Sequence, residues 1–239
     1  EREIGEKTLG KQKVWYKTGA IILILFSLAA VGYTLYYYNS LTVPAQQAFS
    51  VGVFPSTDVI VAPTTDVRSV IESLRANAAL EVNKPFLVPL VNDEQTLTLL
   101  SNSQLFSFFE SSPSEPFLSS FSLMRLGVMN TGVDNVPFAI GATPDVDIAT
   151  KELLIAEPDL LQLLYKALGI DISTIPQEIG RVFTGEYLYN IPTRTLRYTS
   201  VDGVNTTIFF YARVSENIVV FTTDPSVLKA VYDTLIRQR

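Results

Sequence analysis

The chain of 239 residues contains no cysteine and no histidine. Without cysteine it has no disulfide framework, no thiolate nucleophile, no cysteine-based zinc site and no lipidation cysteine. Without histidine it lacks the commonest general base and the commonest metal ligand. We therefore expect no cofactor and no metal site, and any catalysis would have to depend on carboxylates.

Charge is also scarce, since charged residues make up 18% of the chain and hydrophobic residues 47%. Residues 1–17 carry five basic and three acidic side chains, whereas the remainder carries 13 basic and 21 acidic ones. An acidic domain disfavours nucleic-acid binding, which needs cationic side chains against phosphate. It equally disfavours docking on an anionic lipid surface. We therefore expect no nucleic-acid partner.

A long uncharged stretch lies between Lys17 and Asp58, and its most apolar part is Ala20 to Val31. A helix from Trp15 to Tyr38 would be about 35 Å long, which is enough to cross a bilayer. Aromatic and basic residues border this segment, as is typical of the two membrane interfaces. The predicted interface residues are Lys13, Trp15, Tyr16, Lys17, Tyr33, Tyr36, Tyr37 and Tyr38. The pattern predicts a transmembrane helix over residues 18–38.

The lysines before this segment, from Lys7 to Lys17, have no acid among them. The positive-inside rule then places the N-terminus in the cytoplasm and the C-terminal domain outside. A cleavable signal peptide stays open as an alternative, because Ser27-Leu28-Ala29 resembles a cleavage site. A buried core helix is the other alternative. Since the first residue is Glu1, we expect the natural chain to extend upstream, and an upstream helix would invert the topology.

The chain divides into four predicted segments. They are a basic cytoplasmic tail at 1–17, the transmembrane helix at 18–38, a stalk at 39–65 and an extracytoplasmic α+β domain at 66–239. The stalk is rich in proline, serine and threonine, and its part from Asp58 to Ala62 is suited to an edge strand.

Within the domain, helices are predicted after the capping residues Asp66 and Ser101, around Phe117, from Asp145 and after Asp224. The helix from Asp145 ends at Gly169 and contains Pro158, which predicts a kink or two separate helices. Alternating or β-rich segments predict strands at Phe86–Val91, Thr96–Leu100, Leu123–Met129, Val136–Gly141, Gly185–Asn190, Arg194–Ser200, Thr206–Val214 and Asn217–Thr222. Hairpins and non-alternating strands indicate an α+β fold whose antiparallel or mixed sheet is packed by helices.

Two kinds of short motif resemble catalytic or metal-binding patterns. Ser226 to Lys229 matches the Ser-x-x-Lys pattern of penicillin-binding enzymes, but the companion Lys17-Thr18-Gly19 comes in the wrong order and on the other side of the predicted membrane. The acid pairs Asp145/Asp147 and Glu157/Asp159 could bind a hard cation, yet acids at helix starts are ordinary. No catalytic, cofactor-binding or metal-binding residue is therefore assigned.

Four tyrosines on predicted strands offer two interpretations. They could form a binding face for a peptide or glycan, or they could simply pack the sheet. They are Tyr187, Tyr189, Tyr198 and Tyr211.

Three segments carry a resemblance: VPFAIG from Val136, KELLIAEPDLLQLLYKALG from Lys151, and NIVVFTTDPSVLKAVYDTL from Asn217. Over residues 85–236 the chain resembles uncharacterised single-pass membrane proteins of Parcubacteria-type candidate-phylum bacteria, a group with no known activity. The resemblance implies a location in the bacterial cytoplasmic membrane, with a cytoplasmic tail, one membrane helix, a stalk and an outer α+β domain. Pro158 departs from the unbroken helix of that group.

The expected function is therefore that of a non-catalytic envelope protein whose outer domain binds or assembles with a partner. That partner is a protein, for example of a pilus or secretion complex, or a second copy of the chain. The mean hydropathy of +0.25 is high for such a protein. An exposed apolar patch is therefore expected, at Phe106, Phe108, Phe109, Phe117 and Phe121. The alternative is a carboxylate-dependent envelope hydrolase.

Overall fold

A computed structural model describes residues 54–57, 60–62, 66–77, 80–92, 98–175, 182–199 and 202–237. The predicted cytoplasmic tail, the transmembrane helix and most of the stalk lie outside these residues. Within them, no helix has both the length and the apolar character needed to cross a bilayer.

The described residues form nine strands and five α-helices. The strands are β1 (Ile60–Val61), β2 (Pro85–Val88), β3 (Leu90–Val91), β4 (Leu123–Asn130), β5 (Asn135–Ala142), β6 (Val182–Leu188), β7 (Ile191–Thr199), β8 (Asn205–Ser215) and β9 (Ile218–Thr222). The helices are α1 (Val67–Ala76), α2 (Asn102–Phe108), α3 (Glu115–Ser119), α4 (Val146–Leu164) and α5 (Pro225–Ile236). A short 3-10 turn follows α4 at Ile172–Thr174.

In this part of the chain, seven strands form one antiparallel sheet in the order β2-β4-β5-β9-β8-β7-β6. β1 and β3 pair separately and in parallel. The predicted α+β class with an antiparallel sheet packed by helices is confirmed.

The helix starts follow from local capping. Asp66, Asp145 and Asp224 each accept a hydrogen bond from a backbone N–H in the first turn of the helix that follows. Ser101 and Gln104 form a capping box at the start of α2. These side chains satisfy donors that the first helical turn leaves without intrahelical partners, which explains why the predicted helix starts are confirmed.

Two apolar clusters lie on the two faces of the sheet. One cluster joins the first face to side chains of α1, α2, α3 and α4, and the other joins the second face to α5 and Phe54. β9 alternates between them: Val219 and Phe221 belong to the first cluster, whereas Ile218 and Val220 belong to the second. Because both of its faces are covered, β9 is the buried centre of the sheet.

α4 runs as one helix across Pro158, so of the two predicted alternatives, a kink or two separate helices, the second is wrong. The chain then turns through Gly169, whose φ of 62° is the left-handed conformation expected of a helix-ending glycine. The Arg75 guanidinium donates a hydrogen bond to the Gly169 carbonyl at 2.7 Å, which ties the end of α4 to α1.

The end of the predicted stalk packs on the domain. Phe54 is buried in the second cluster, and Thr57 N–H donates to the Leu87 carbonyl at 2.9 Å. β1 lies within the segment suited to an edge strand, although it pairs with β3 and not with the main sheet. The described part of the domain therefore begins before Asp66.

α5 covers the second face of the sheet with apolar side chains whose burial decreases along the helix. Val227, Leu228 and Val231 are fully buried, whereas Ala230 and Leu235 are half-buried. The apolar side of α5 is thus buried at the start of the helix and only half-covered toward its end, where Leu235 borders a cleft.

Candidate functional site

The predicted membrane-interface residues all lie between Lys13 and Tyr38, outside the described residues. Their assignment to a bilayer interface stays a prediction.

The phenylalanine cluster belongs to the core, so the prediction that it forms an exposed patch is wrong. Phe106, Phe109, Phe117 and Phe121 are buried, and Phe108 packs against the same cluster. The Phe117 ring centroid lies 5.9 Å from that of Phe106 and 5.4 Å from that of Phe121. The short helices are covered from two directions, since α2 contacts β4 and α3 contacts α4. The rings are therefore enclosed by both the sheet and α4, and not by one neighbouring element alone.

A cleft of about 940 Å³ lies between α4, α5 and the hairpins β6–β7 and β8–β9. Its volume falls within the roughly 300–1,000 Å³ of typical ligand sites. Its lining is mostly apolar and includes Leu154, Tyr187, Arg194, Tyr211, Leu235 and Ile236. The cleft therefore offers apolar surface, with a few polar groups, at the β6 side of the sheet.

Two residues of a hydrogen-bonded triad, Arg194 and Tyr211, line the cleft. Arg194 binds the Glu157 carboxylate in two places, from Nε to Oε1 and from Nη2 to Oε2, each at 2.7 Å. The Tyr211 hydroxyl donates to Glu157 Oε1 at 2.7 Å. Arg194 and Tyr211 are cross-strand partners in β7 and β8, whereas Glu157 belongs to α4. The triad thus ties α4 to the sheet by a bidentate, charge-assisted contact.

The protonation of the triad follows from its surroundings. Burial, with the adjacent Glu157 carboxylate, raises the pKa of the Tyr211 hydroxyl. The hydrogen bond to Glu157 raises the pKa of the Arg194 guanidinium. At neutral pH the tyrosine is therefore a neutral donor and the arginine a cation, and both are committed to the same carboxylate.

A second ion-paired group lies on the other face of the β6–β7 hairpin. The Glu186 carboxylate accepts hydrogen bonds from the Thr195 hydroxyl and from Arg197 Nη2. The Thr195 hydrogen bond, supported by Arg197, lowers the pKa of Glu186 below its ordinary value of 4.5.

This lowered pKa predicts a pH-dependent stability. A carboxylate with a depressed folded-state pKa stabilises the fold above its unfolded-state pKa, and that stability is lost as pH falls through the folded-state value. Glu186→Gln should therefore lower the free energy of unfolding at pH 7, and the difference from the unaltered chain should shrink below pH 4.5. Urea titrations at pH 7 and below pH 4.5 would measure it.

Glu216→Gln is the matched control, because this carboxylate is exposed and has no ion pair among the described residues. Glu216→Gln should leave the free energy of unfolding unchanged at both pH values. An effect of Glu186→Gln that is equal at both pH values would contradict the assigned role.

The acid pairs do not converge on a common site. Asp145 caps α4 by accepting from the N–H groups of Asp147 and Ile148. Glu157 is held in the triad, whereas Asp159 is exposed. Among the described residues no group of three or more acids is placed to hold a metal ion.

The two polar groups of the Ser-x-x-Lys pattern, both in α5, differ in their surroundings. The Ser226 hydroxyl oxygen is buried and has no hydrogen-bond partner. Lys229 is half-exposed and pairs with Asp233 at 2.6 Å on the outer side of α5. The Lys229 ammonium group is therefore paired with Asp233, and no hydrogen bond joins it to the Ser226 hydroxyl.

The four strand tyrosines separate into different roles. Tyr211 is buried in the triad, and Tyr198 packs against the first apolar cluster. Tyr187 is 77% exposed at the cleft, and Tyr189 is exposed on the β6–β7 turn. Leu154 and Ile236, also exposed, line the same cleft from the two helices. The apolar rim of the cleft was thus only partly indicated by sequence, through Tyr187.

Comparisons of the chain with protein-family profiles, with curated proteins and with solved structures gave no match.

Proposed function

We propose that the chain is a membrane-anchored, non-catalytic protein of the bacterial cell envelope whose outer domain binds or assembles with a partner through the cleft. The observation that carries the proposal is the exposed apolar rim formed by Leu154, Tyr187 and Ile236. Large apolar side chains grouped on a concave surface are typical of contact sites. The rim replaces the phenylalanine cluster as the contact surface.

The hydrogen bonding of Glu157 and Glu186 favours a binding function over carboxylate-dependent catalysis. A general base needs a carboxylate that is free to reach the proton it abstracts. At the cleft, Glu186 already accepts from Thr195 and Arg197, and Glu157, next to the lining residues Arg194 and Tyr211, accepts from both of them. Glu216 also lines the cleft, as an exposed carboxylate without an ion pair among the described residues. Using Glu157 or Glu186 as a base would first require their hydrogen bonds to break.

The membrane part of the proposal rests on the sequence. The apolar segment over residues 18–38, with lysines before it and tyrosines after it, favours a single span with the N-terminus inside. The described domain starts at Phe54, beyond this segment, and the proposal places it outside the cytoplasmic membrane.

A photo-cross-linking experiment tests the contact surface. A photoreactive phenylalanine analogue at position 187 should form an adduct in intact cells, because this side chain lies on the apolar rim. The same analogue at Val133 is the control, since Val133 is 89% exposed on the β4–β5 turn and does not line the cleft. Adducts would be found by electrophoresis and identified by mass spectrometry. No adduct from position 187, or equal adducts from both positions, would overturn the proposal.

Orientation is checked in the same cells. The chain has no cysteine, so a single introduced cysteine reports its own location. With Ser56→Cys, whose position is exposed, a membrane-impermeant thiol reagent should label intact cells. With Thr8→Cys it should not. The reverse pattern would place the domain inside.

A further inference from the structure

β6 is the last strand of the sheet, and within the described residues it pairs with β7 alone. The opposite edge differs, because residues 55–57 cover β2. There Leu87 N–H donates to the Pro55 carbonyl at 2.8 Å, and Thr57 N–H donates to the Leu87 carbonyl. The described part of the domain therefore covers one sheet edge and leaves the other unpaired.

The β6–β7 turn determines which backbone groups of β6 point outward. Tyr189 and Asn190 have φ of 53° and 64°, the two positive values of a type I′ turn. In such a two-residue hairpin, Leu188 and Ile191 form a hydrogen-bonded pair, and such pairs recur at every second residue. The N–H and C=O groups of Phe183, Gly185 and Tyr187 consequently point away from β7.

In the part of the chain that the structure describes, β6 lacks the usual protection of an edge strand. Natural edges are blocked by lysine, proline, bulges or covering segments. β6 (VFTGEYL) contains neither lysine nor proline, and its pairing with β7 is regular throughout. Its one charged side chain, Glu186, is bound to Thr195 and Arg197 over the sheet face. Nothing among the described residues therefore blocks the outer edge of β6 against another strand.

The fold of a single copy does not require a glycine at position 185, in the middle of β6. Gly185 does not have a positive φ, and an added Cβ would meet only Arg194 Nη1, at 3.7 Å. A glycine inside a strand weakens that strand and often marks the close approach of another backbone. Aromatic side chains of a neighbouring strand can cover such a glycine.

We propose that a second copy of the chain occupies this edge, with its β6 antiparallel to the first and a twofold axis at Gly185. This inference rests on the proposed function and names its partner. In this register the outward backbone groups of Phe183, Gly185 and Tyr187 meet those of Tyr187, Gly185 and Phe183 of the second copy. The seven-stranded sheets of the two copies join into one.

The side chains of β6 match themselves in this register. Phe183, which packs at 5.6 Å from the Phe209 ring, lies opposite the exposed Tyr187 of the other copy, and the same pair occurs twice. Aromatic cross-strand pairs stabilise sheets. Val182 lies opposite Leu188, and Glu186 lies opposite Thr184, so no like charges meet. This self-complementarity favours a second copy over an unrelated peptide, and anchoring two copies in one membrane raises their effective concentration.

Charge reversal at the twofold axis tests the proposal. The full chain in detergent micelles would be examined by analytical ultracentrifugation. Gly185→Lys alone and Gly185→Glu alone each place like charges opposite one another, so each should weaken dimerisation by up to about fivefold. An equimolar mixture of the two variants should recover the dimer, because opposite charges then face each other. Val133→Lys, a change away from the edge, should leave the dimer unchanged.

Gly185→Pro covers the case in which a charged variant fails to fold, as judged by circular dichroism. Proline removes an N–H that points outward and leaves the β6–β7 bonds intact. It should abolish the dimer. A monomeric unaltered chain, a dimer that persists in the proline variant, or folded charge variants whose mixture stays monomeric would each overturn the proposal.

The two proposals fail in different ways. An adduct from position 187 to a different protein, with a monomeric chain, would overturn self-pairing and keep the binding function. An adduct that joins two copies of the chain would support both. The absence of any adduct together with a monomeric chain would overturn both.

Discussion

Phe117→Asp is expected to unfold the domain and not merely to block an assembly. Phe117 is only 1% exposed and lies between the rings of Phe106 and Phe121. Losing a buried phenylalanine costs about 3–5 kcal/mol, and burying a carboxylate without a partner adds further cost. The sum approaches the roughly 5–15 kcal/mol that stabilises a whole domain. Urea titration followed by circular dichroism would measure the change.

Phe108→Asp is the matched control for this substitution. Phe108 is half-buried at the edge of the same cluster, with its ring centroid 5.1 Å from that of Phe109. Its replacement should lower the unfolding midpoint and leave the domain folded. Equal midpoints for the Phe117→Asp variant and the unaltered chain would contradict the burial of this ring.

Gly127→Ala is expected to destabilise the domain although it adds only one methyl group. Gly127 in β4 lies directly opposite Phe138 in β5, and a Cβ at position 127 would lie 2.2 Å from Phe138 Cζ. Phe138 is fully buried, so its ring cannot move aside without disturbing the second apolar cluster. Overpacking of this kind costs about 1–3 kcal/mol. Thermal and urea unfolding would both report it.

Gly185→Ala provides the comparison, because a Cβ there meets only an ordinary contact with Arg194 at 3.7 Å. It should not lower the unfolding midpoint of the monomeric chain, because a glycine inside a strand weakens that strand and the added methyl group meets no clash. Adding Phe138→Leu to Gly127→Ala should recover part of the lost stability, since a smaller side chain makes room for the methyl group. If Gly185→Ala destabilised the chain as much as Gly127→Ala does, the loss of stability would be a general cost of replacing a glycine in a strand. The contact between position 127 and the Phe138 ring would then not be its cause.

Local features of the fold could be predicted because their causes are local. Asp66, Ser101, Asp145 and Asp224 cap helices through contacts two or three residues away. Alternating side chains and turn residues likewise indicated the hairpins, since the strand period and the turn geometry depend on neighbouring residues alone. Pro158 shows the limit of such reasoning, because α4 continues across it.

The site depended on contacts between distant residues. Tyr187 and Tyr211 were recognisable as strand aromatics, yet their burial differs because only Tyr211 lies under α4. Its partner Glu157 is 54 residues away along the chain, and no local pattern joins them. The position of the cleft follows from how the first half of α4 and the end of α5 lie against the two hairpins, which is a property of packing.

The sequence by itself determined an α+β domain without histidine or cysteine chemistry, its capped helices and its hairpins, because composition and short-range hydrogen bonding decide these. Only the tertiary structure decided which apolar residues are covered. The phenylalanine cluster lies inside because the sheet and α4 enclose it from two directions, and Tyr187 lies outside because β6 ends the sheet. Burial depends on what packs against a side chain, and that is set by residues far away in the chain.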